Sequence, residues 1–224
     1  MMKILSPLSP DELAHCRRTA TLSKLLAELA GSSASEVRTI TQSALVHDIG
    51  KAYLPKSILY KQKPLTPQDW TVIRSHTALG AQILIRTSAA MNTAAIVALQ
   101  HHERLDGSGY LGLHGAEIHP HARLIAVADV FDALATRRPY KSPWPLPKIC
   151  TYLSERAGIQ FDPHIVDLLL SNMGRTRNIY SNIEAYTSQN THFYRQYAHR
   201  EKVKQECCCK KNSISYAGCP SMEP

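Results

Sequence analysis

The sequence predicts an all-α fold, and three observations lead there. Helix-start signals recur, each a Ser or Thr followed three residues later by an acid: Ser9…Glu12, Ser33…Glu36 and Thr66…Asp69. Apolar residues after them repeat at intervals of three and four. No segment shows the sustained apolar–polar alternation of a half-buried strand.

The elements follow in order. Ser9 caps a first helix, Pro10 suits its first turn, and Leu22, Leu25, Leu26 and Leu29 carry its apolar face until Gly31 ends it. Ser33 opens a second helix whose face, Val37, Ile40 and Ala44, leads into His47-Asp48. Residues 50–64 read as a loop with a short turn or two. Thr66 starts a helix expected to run through Trp70, Ile73, Thr77 and Gly80, with His76 inside it. Residues 90–100 form a helix ending at His101, and 104–119 a long loop with four glycines. Helices are expected over residues 120–136, 146–157 and 163–173, the last capped by Asp162 and stopped by Gly174.

Composition narrows the class. A chain of 224 residues holds one good-sized domain and an extension. Its 44% hydrophobic content is ordinary for a globular protein. No stretch approaches the ~18–20 apolar residues of a membrane span. The first residues lack the apolar run of a signal peptide, so a cytoplasmic protein is expected. The formal charge of +8 suits an anionic partner such as a nucleotide, but by itself identifies no nucleic-acid surface. The six cysteines contain no CxxC pair, and the run Cys207-Cys208-Cys209 is unlike a secreted disulfide framework. After Gly174 the chain turns basic and poor in Leu, Ile and Val. A boundary is therefore expected near residue 174, with 1–174 as the domain and 175–224 as a basic, Cys-containing extension.

The chemistry lies in where His and Asp fall. His15 lies inside the first helix, four residues after Asp11. His47-Asp48 closes the second, His76 belongs to the next, and His101-His102-Glu103 closes another. Asp129 interrupts the apolar run Ile125-Ala126-Val127-Ala128. A carboxylate on an apolar helical face is costly unless it is paired or bound to metal. Imidazoles and carboxylates together suit iron, manganese or zinc. Two such ions ~3.5–4 Å apart activate water and clamp a phosphodiester. His114, His119, His121, His164, His192 and His199 read as ordinary surface or capping residues.

These segments resemble a known family. His47-Asp48-Ile49-Gly50-Lys51 is similar to the HDxGK signature of HD hydrolases. His101-His102-Glu103-Arg104-Leu105-Asp106-Gly107-Ser108-Gly109-Tyr110 resembles the HHExxDGxGYP signature of the HD-GYP branch. The likeness extends through His76-Thr77-x-x-Gly80, Arg123 to Asp129, Arg138-Pro139-Tyr140 and Phe161-Asp162-Pro163, over roughly residues 9–172. It implies an HD-domain helical bundle with an inward-facing metal site. The implied activity is a phosphodiesterase that opens cyclic di-GMP to pGpG or GMP with two or three divalent ions, iron or manganese. On that resemblance His15, His47, Asp48 and Asp129 hold one metal. Asp48 bridges to a second held by His76, His101 and His102. Lys51 lies near the scissile phosphate, and Asp132 orients the attacking water. Arg138 and Lys141 meet the substrate phosphates, and Tyr110 lines the guanine side. Glu103 and Asp106 are expected to hold their loop, with Gly107 and Gly109 supplying positive φ.

The chain departs from the pattern in places. Leu111 stands where the signature closes on Pro, which is expected to loosen the loop more than it alters the chemistry. Asp11 stands where some members carry a Glu linked to a third metal, and is one methylene shorter. Other readings remain open at this point. They are an HD hydrolase of another cyclic dinucleotide or phosphoester, and a non-catalytic module that binds a GGDEF-type diguanylate cyclase through the Gly-Tyr loop. A turnover panel separates the first, and retention of the full ligand set speaks against the second. An oxygenase on a di-iron HD scaffold is disfavoured by Lys51, Arg138 and Lys141, cations that suit phosphate.

Overall fold

The computed structural model describes residues 5–137, 142–176 and 179–180. These are mostly helical, and among them the only β pairing is two isolated bridges, Asp106–His114 and Ala157–Phe161. The helices are α1 (Pro10–Leu29), α2 (Ala34–Val46), α3 (Lys56–Leu59), α4 (Pro67–Arg74) and α5 (His76–Thr87). There follow α6 (Asn92–Gln100), α7 (Pro120–Ala135), α8 (Leu146–Arg156), α9 (Pro163–Ser171) and α10 (Met173–Thr176). No described helix is long and apolar enough to cross a membrane.

All three expected capping boxes form. Ser9 Oγ accepts from the Glu12 amide at 3.3 Å while Glu12 accepts from the Ser9 amide at 2.8 Å, and Ser33–Glu36 and Thr66–Asp69 repeat the exchange. Asp162 caps α9 through the His164 amide. Each such cap contributes about 1 kcal/mol and fixes where its helix begins.

Helix α7 is the central element. It is buried on nearly every side, from Ala122 and Leu124 through Phe131, Leu134 and Ala135. A helix apolar all round belongs in a core. Asp129 and Asp132 are the two charges buried within it, so both must be compensated. Helix α1 packs on α2 and α7, while α5 packs on α6 and on the 3-10 turn Ile49–Tyr53. Small residues on α6, Ala94, Ala95 and Ala98, let α5 approach closely.

The tightest contact lies beside the HD pair. A Cβ added at Gly50 would stand 1.9 Å from the His76 carbonyl oxygen and 2.7 Å from the Gly80 nitrogen. The turn after Asp48 therefore presses directly onto the first turn of α5, which places His76 next to Asp48. Glycine is the one residue that fits there.

Two expectations change. The helix expected to carry His76 inside it is two helices that meet at Ser75. Three successive carbonyls at the break, those of Val72, Ile73 and Arg74, accept from the side chains of Ser75, His76 and Thr77. Side chains thus take over bonds that a continuous helix would form with its own backbone. Gly174, expected as a stop, lies inside α10. The buried body continues past it, since Thr176 and Tyr180 are fully buried and Tyr180 packs edge-on against Phe131 at 5.3 Å.

Two outcomes follow from this packing. Gly50→Ala should cost about 1–3 kcal/mol by overpacking and should separate Asp48 from His76. An unchanged Tm together with unchanged metal uptake would refute that. A chain ending after Tyr180 should melt close to the full chain, whereas one ending at Gly174 should lose about 3 kcal/mol or more with the buried ring. Equal Tm values for the two truncations would show that the Tyr180 contact contributes nothing.

Candidate metal centre

Five elements converge on Asp48. His15 comes from α1, His47 and Asp48 follow α2, His76 opens α5, His101 and His102 follow α6, and Asp129 comes from α7. Asp48 is buried at 1% exposure, and its two oxygens face different groups. Oδ1 lies 3.3 Å from His76 Nε2 and 3.6 Å from His101 Nε2. Oδ2 lies 3.4 Å from His47 Nε2 and 3.6 Å from His15 Nε2. Asp129 Oδ1 is 3.0 Å from His15 Nε2 and 3.7 Å from His47 Nε2. Two groups result, Asp48–His76–His101–His102 and His15–His47–Asp129, each with its donor atoms within 4.8 Å of one another.

Three of the rings are aimed from behind by backbone carbonyls. His47 Nδ1 donates to the Ala44 carbonyl at 2.7 Å, His76 Nδ1 to Ile73 at 2.6 Å, and His101 Nδ1 to Ala98 at 2.9 Å. A carbonyl only accepts, so the proton is on Nδ1 and a neutral ring turns the Nε2 lone pair inward. Burial pushes the His101 pKa down to about 4 and holds His102 well below the usual range, so both rings are neutral at pH 7. Burial opposes ionisation of Asp48 and Asp129, but Lys51 and His47 outweigh it for Asp48, and His15 and His47 for Asp129. Both carboxyls stay ionised.

This donor set fits divalent cations. His15 Nε2, His47 Nε2 and Asp48 Oδ1 are buried and accept or donate no hydrogen bond. Leaving such groups unsatisfied costs about 1–3 kcal/mol each. The Nε2 atoms of His76 and His101 face each other at 3.4 Å, which sets two lone pairs together. A cation between them relieves both problems. Carboxylates and neutral imidazoles such as His101 and His102 are the forms that bind metal. At His15 and His47 burial is outweighed by Asp129 and Asp48, which hold the two pKa values above the ordinary range, so a cation there would take the place of a proton.

Comparison with known proteins agrees with this geometry. A family model for the HD domain matches residues 1–165. This chain belongs to the HD-domain family, and its segment 101–110 resembles the signature of the HD-GYP branch. The cyclic di-GMP phosphodiesterase response regulator RpfG of Xanthomonas campestris is 41% identical over 168 residues, 74% of this chain and 44% of its own length. A 3'3'-cGAMP-specific phosphodiesterase of Vibrio cholerae is 40% identical over 161 residues, 71% of this chain and 31% of its own. A cyclic di-GMP phosphodiesterase of Thermotoga maritima is 39% identical over 186 residues, 80% of this chain and 50% of its own. The chain thus spans 31–50% of the length of these curated relatives. Among solved structures, the HDG"Y"P protein Bd1817 of Bdellovibrio bacteriovorus superposes with a TM-score of 0.57 at 23% identity, over 69% of this chain and 50% of that one. That likeness concerns the fold.

The remaining expected residues divide. Lys51 Nζ lies 2.5 Å from Asp48 Oδ2. Tyr110 packs at a tilt against His102 with ring centres 4.8 Å apart, at a cavity of about 240 Å³ that also touches His101 and Phe161. Asp11 is exposed on the first turn of α1, outside both groups, so the described residues show no third ligand set. Arg138 and Lys141 lie outside the described residues. Asp132, expected to orient water, is fully buried behind His15. Its Oδ2 accepts from His15 Nδ1 at 2.7 Å, and Arg18 donates to both its oxygens at 2.7 and 3.0 Å. A carboxylate engaged in this way does not face the attacking side.

Sequence reasoning missed two cations. One is Arg18, a single turn after His15. The other is Arg74, whose guanidinium lies 5.0 Å from the Tyr110 ring centre. Each stands within three residues of a candidate ligand, and that spacing is the signal that was available.

Glu103 holds the glycine loop, as expected. It is buried, and its two oxygens accept from the amides of Leu111 at 2.8 Å and Leu113 at 3.0 Å. Gly107 has the positive φ expected of it, 76°. Gly109 does not. It is required instead by close approach, since a Cβ there would lie 2.6 Å from Glu103 Cα. The expected loosening at position 111 is also overturned, because the Leu111 amide supplies a bond that proline has no N–H to make. Leu111→Pro should therefore destabilise. The orphaned carboxylate oxygen costs about 1–3 kcal/mol, against a gain of about 0.4–1 kcal/mol from the stiffer unfolded chain. A variant melting at or above wild type would show that Glu103 does not depend on that amide.

Proposed function

We propose that the chain is a metal-dependent phosphodiesterase that hydrolyses cyclic di-GMP to pGpG or GMP. The observation that carries this is the division of Asp48, one oxygen toward His76 and His101 and the other toward His15 and His47. A carboxylate so placed suits a bridge between two cations. The mixed nitrogen and oxygen donors suit iron or manganese. Bound there, the ions supply an activated water at neutral pH and a clamp for phosphodiester oxygens.

The chain's own residues supply the rest. His15, His47 and Asp129 form one ligand group, and His76, His101 and His102 the other, with Asp48 common to both. The Lys51 ammonium, beside Asp48 Oδ2, faces the point where negative charge develops on the phosphoryl oxygens. Tyr110, half-buried and packed against His102, offers an aromatic ring to a nucleobase. Arg138 and Lys141, within a dozen residues after Asp129, are assigned to substrate phosphates. Arginine is always protonated and holds a phosphate through paired hydrogen bonds. Cyclic di-GMP is favoured because several relatives carry that activity in their names. Other relatives are named for 3'3'-cGAMP, which makes that dinucleotide the second candidate.

One preparation tests the proposal. Anaerobically purified full chain should hold at least two metal ions by elemental analysis and should hydrolyse cyclic di-GMP in preference to other cyclic dinucleotides. Asp48→Ala should lose both metals and turnover while keeping its helical circular dichroism. Turnover near the wild-type rate in that variant would refute the bridge. A metal-loaded wild type that hydrolyses only 3'3'-cGAMP would move the substrate assignment and leave the metal chemistry standing.

A further inference from the structure

Three of the four imidazoles around Asp48 owe their aim to helix ends. His47 follows α2, His76 follows α4 and His101 follows α6, and each donates to the carbonyl three residues earlier. The last four carbonyls of a helix have no backbone partner, so these acceptors come with the fold. His15 is different. It lies within α1, where the preceding carbonyls are taken by the helix itself. Its Nδ1 turns instead to a carboxylate on another helix, Asp132 of α7, at 2.7 Å.

Asp132 is fully buried, and a lone buried carboxylate is unstable. Arg18 stabilises it. The side chain lies one turn beyond His15 on α1, and Nε and Nη2 reach Oδ1 and Oδ2 at 2.7 and 3.0 Å. The chain of contacts thus runs from α1 to α7 and back to α1, and it fixes the His15 ring at Nδ1.

We propose that Arg18 and Asp132 are positioning residues that make the two metal positions unequal, so that the His15–His47–Asp129 position binds first and more tightly. The inference rests on the reading that the two groups hold metal ions. Its chemistry is direct. A carboxylate behind an imidazole strengthens the ring as a ligand more than a neutral carbonyl does. The position that contains His15 also has Asp129 as a ligand of its own, whereas the other has three imidazoles and shares only Asp48.

The test is the binding of Mn(II) to chelator-stripped full chain, followed by electron paramagnetic resonance and competition with a chelator of known affinity. Wild type should bind two ions in separable steps. His15→Ala and His76→Ala assign the steps, the first variant losing the tight one and the second the weak one. Arg18→Met and Asp132→Asn should weaken the tight step about 10- to 100-fold and leave the weak step within about twofold. Arg18→Lys keeps the charge but not the paired geometry, and should fall between Arg18→Met and wild type. Both steps falling together with a lowered Tm would assign the pair to stability alone and overturn the inference. Wild-type affinity at the tight step in Arg18→Met and Asp132→Asn would overturn it as well. A wild-type chain that takes up no metal would instead refute the reading of the site itself, and the inference with it.

Discussion

Burying the charge of Asp48 is the constraint from which the rest of the architecture follows. An ionised carboxylate at 1% exposure needs compensation; Lys51 supplies part of it directly, and the four imidazoles that face it are able to hold cations that would supply the rest. To deliver those rings, α2, α4 and α6 all end at the same place. Helix C-termini carry partial negative charge, so three of them together with Asp48 and Asp129 make a strongly cation-attracting centre. The convergence in turn dictates packing far from the chemistry. Gly50, Gly80 and Ala98 are small because the turn after Asp48 and the helix that carries His76 cannot otherwise approach.

Much of this was legible in the sequence because it is local. A Ser or Thr three residues before an acid fixes a helix start without reference to the rest of the chain. The clustering of His and Asp was legible as well, since His47-Asp48 and His101-His102 sit where periodicity stops and orphan carbonyls begin. Most of the misses depend on partners distant in sequence, and one is a local competition that apolar spacing does not register. The break at Ser75 depends on three side chains competing with the backbone for carbonyls, while the apolar spacing runs through it undisturbed. Asp132 is one turn from Asp129, so spacing alone sends both to the same site. Only Arg18, 114 residues away, shows that it faces the other way. Likewise Leu111 looked like a plain loss of proline, because the value of its amide depends on where Glu103 lies. Tyr180, beyond the apparent change of composition, is buried by a contact with Phe131 that no local pattern announces.

The site is closed on one side and open on the other, and that asymmetry bears on how a substrate is held. His15, His47, His76, His101 and Asp129 are buried, whereas His102 and Tyr110 are half-buried and Arg74 is exposed. Outward from the His/Asp cluster, His102 packs at a tilt against Tyr110, and the Arg74 guanidinium lies over the Tyr110 ring. The cavity beside it, about 240 Å³, is smaller than the roughly 300–1,000 Å³ of pockets that enclose drug-sized ligands. On the proposed reading a cyclic dinucleotide is therefore not enclosed by the described residues alone. Affinity must then come from cations and aromatic faces at the cavity rim more than from apolar enclosure. An exposed rim is also where residues can change without disturbing the buried ligands. Relatives at 40–41% identity named for cyclic di-GMP and for 3'3'-cGAMP are consistent with discrimination made there, outside a metal centre that either reaction can use.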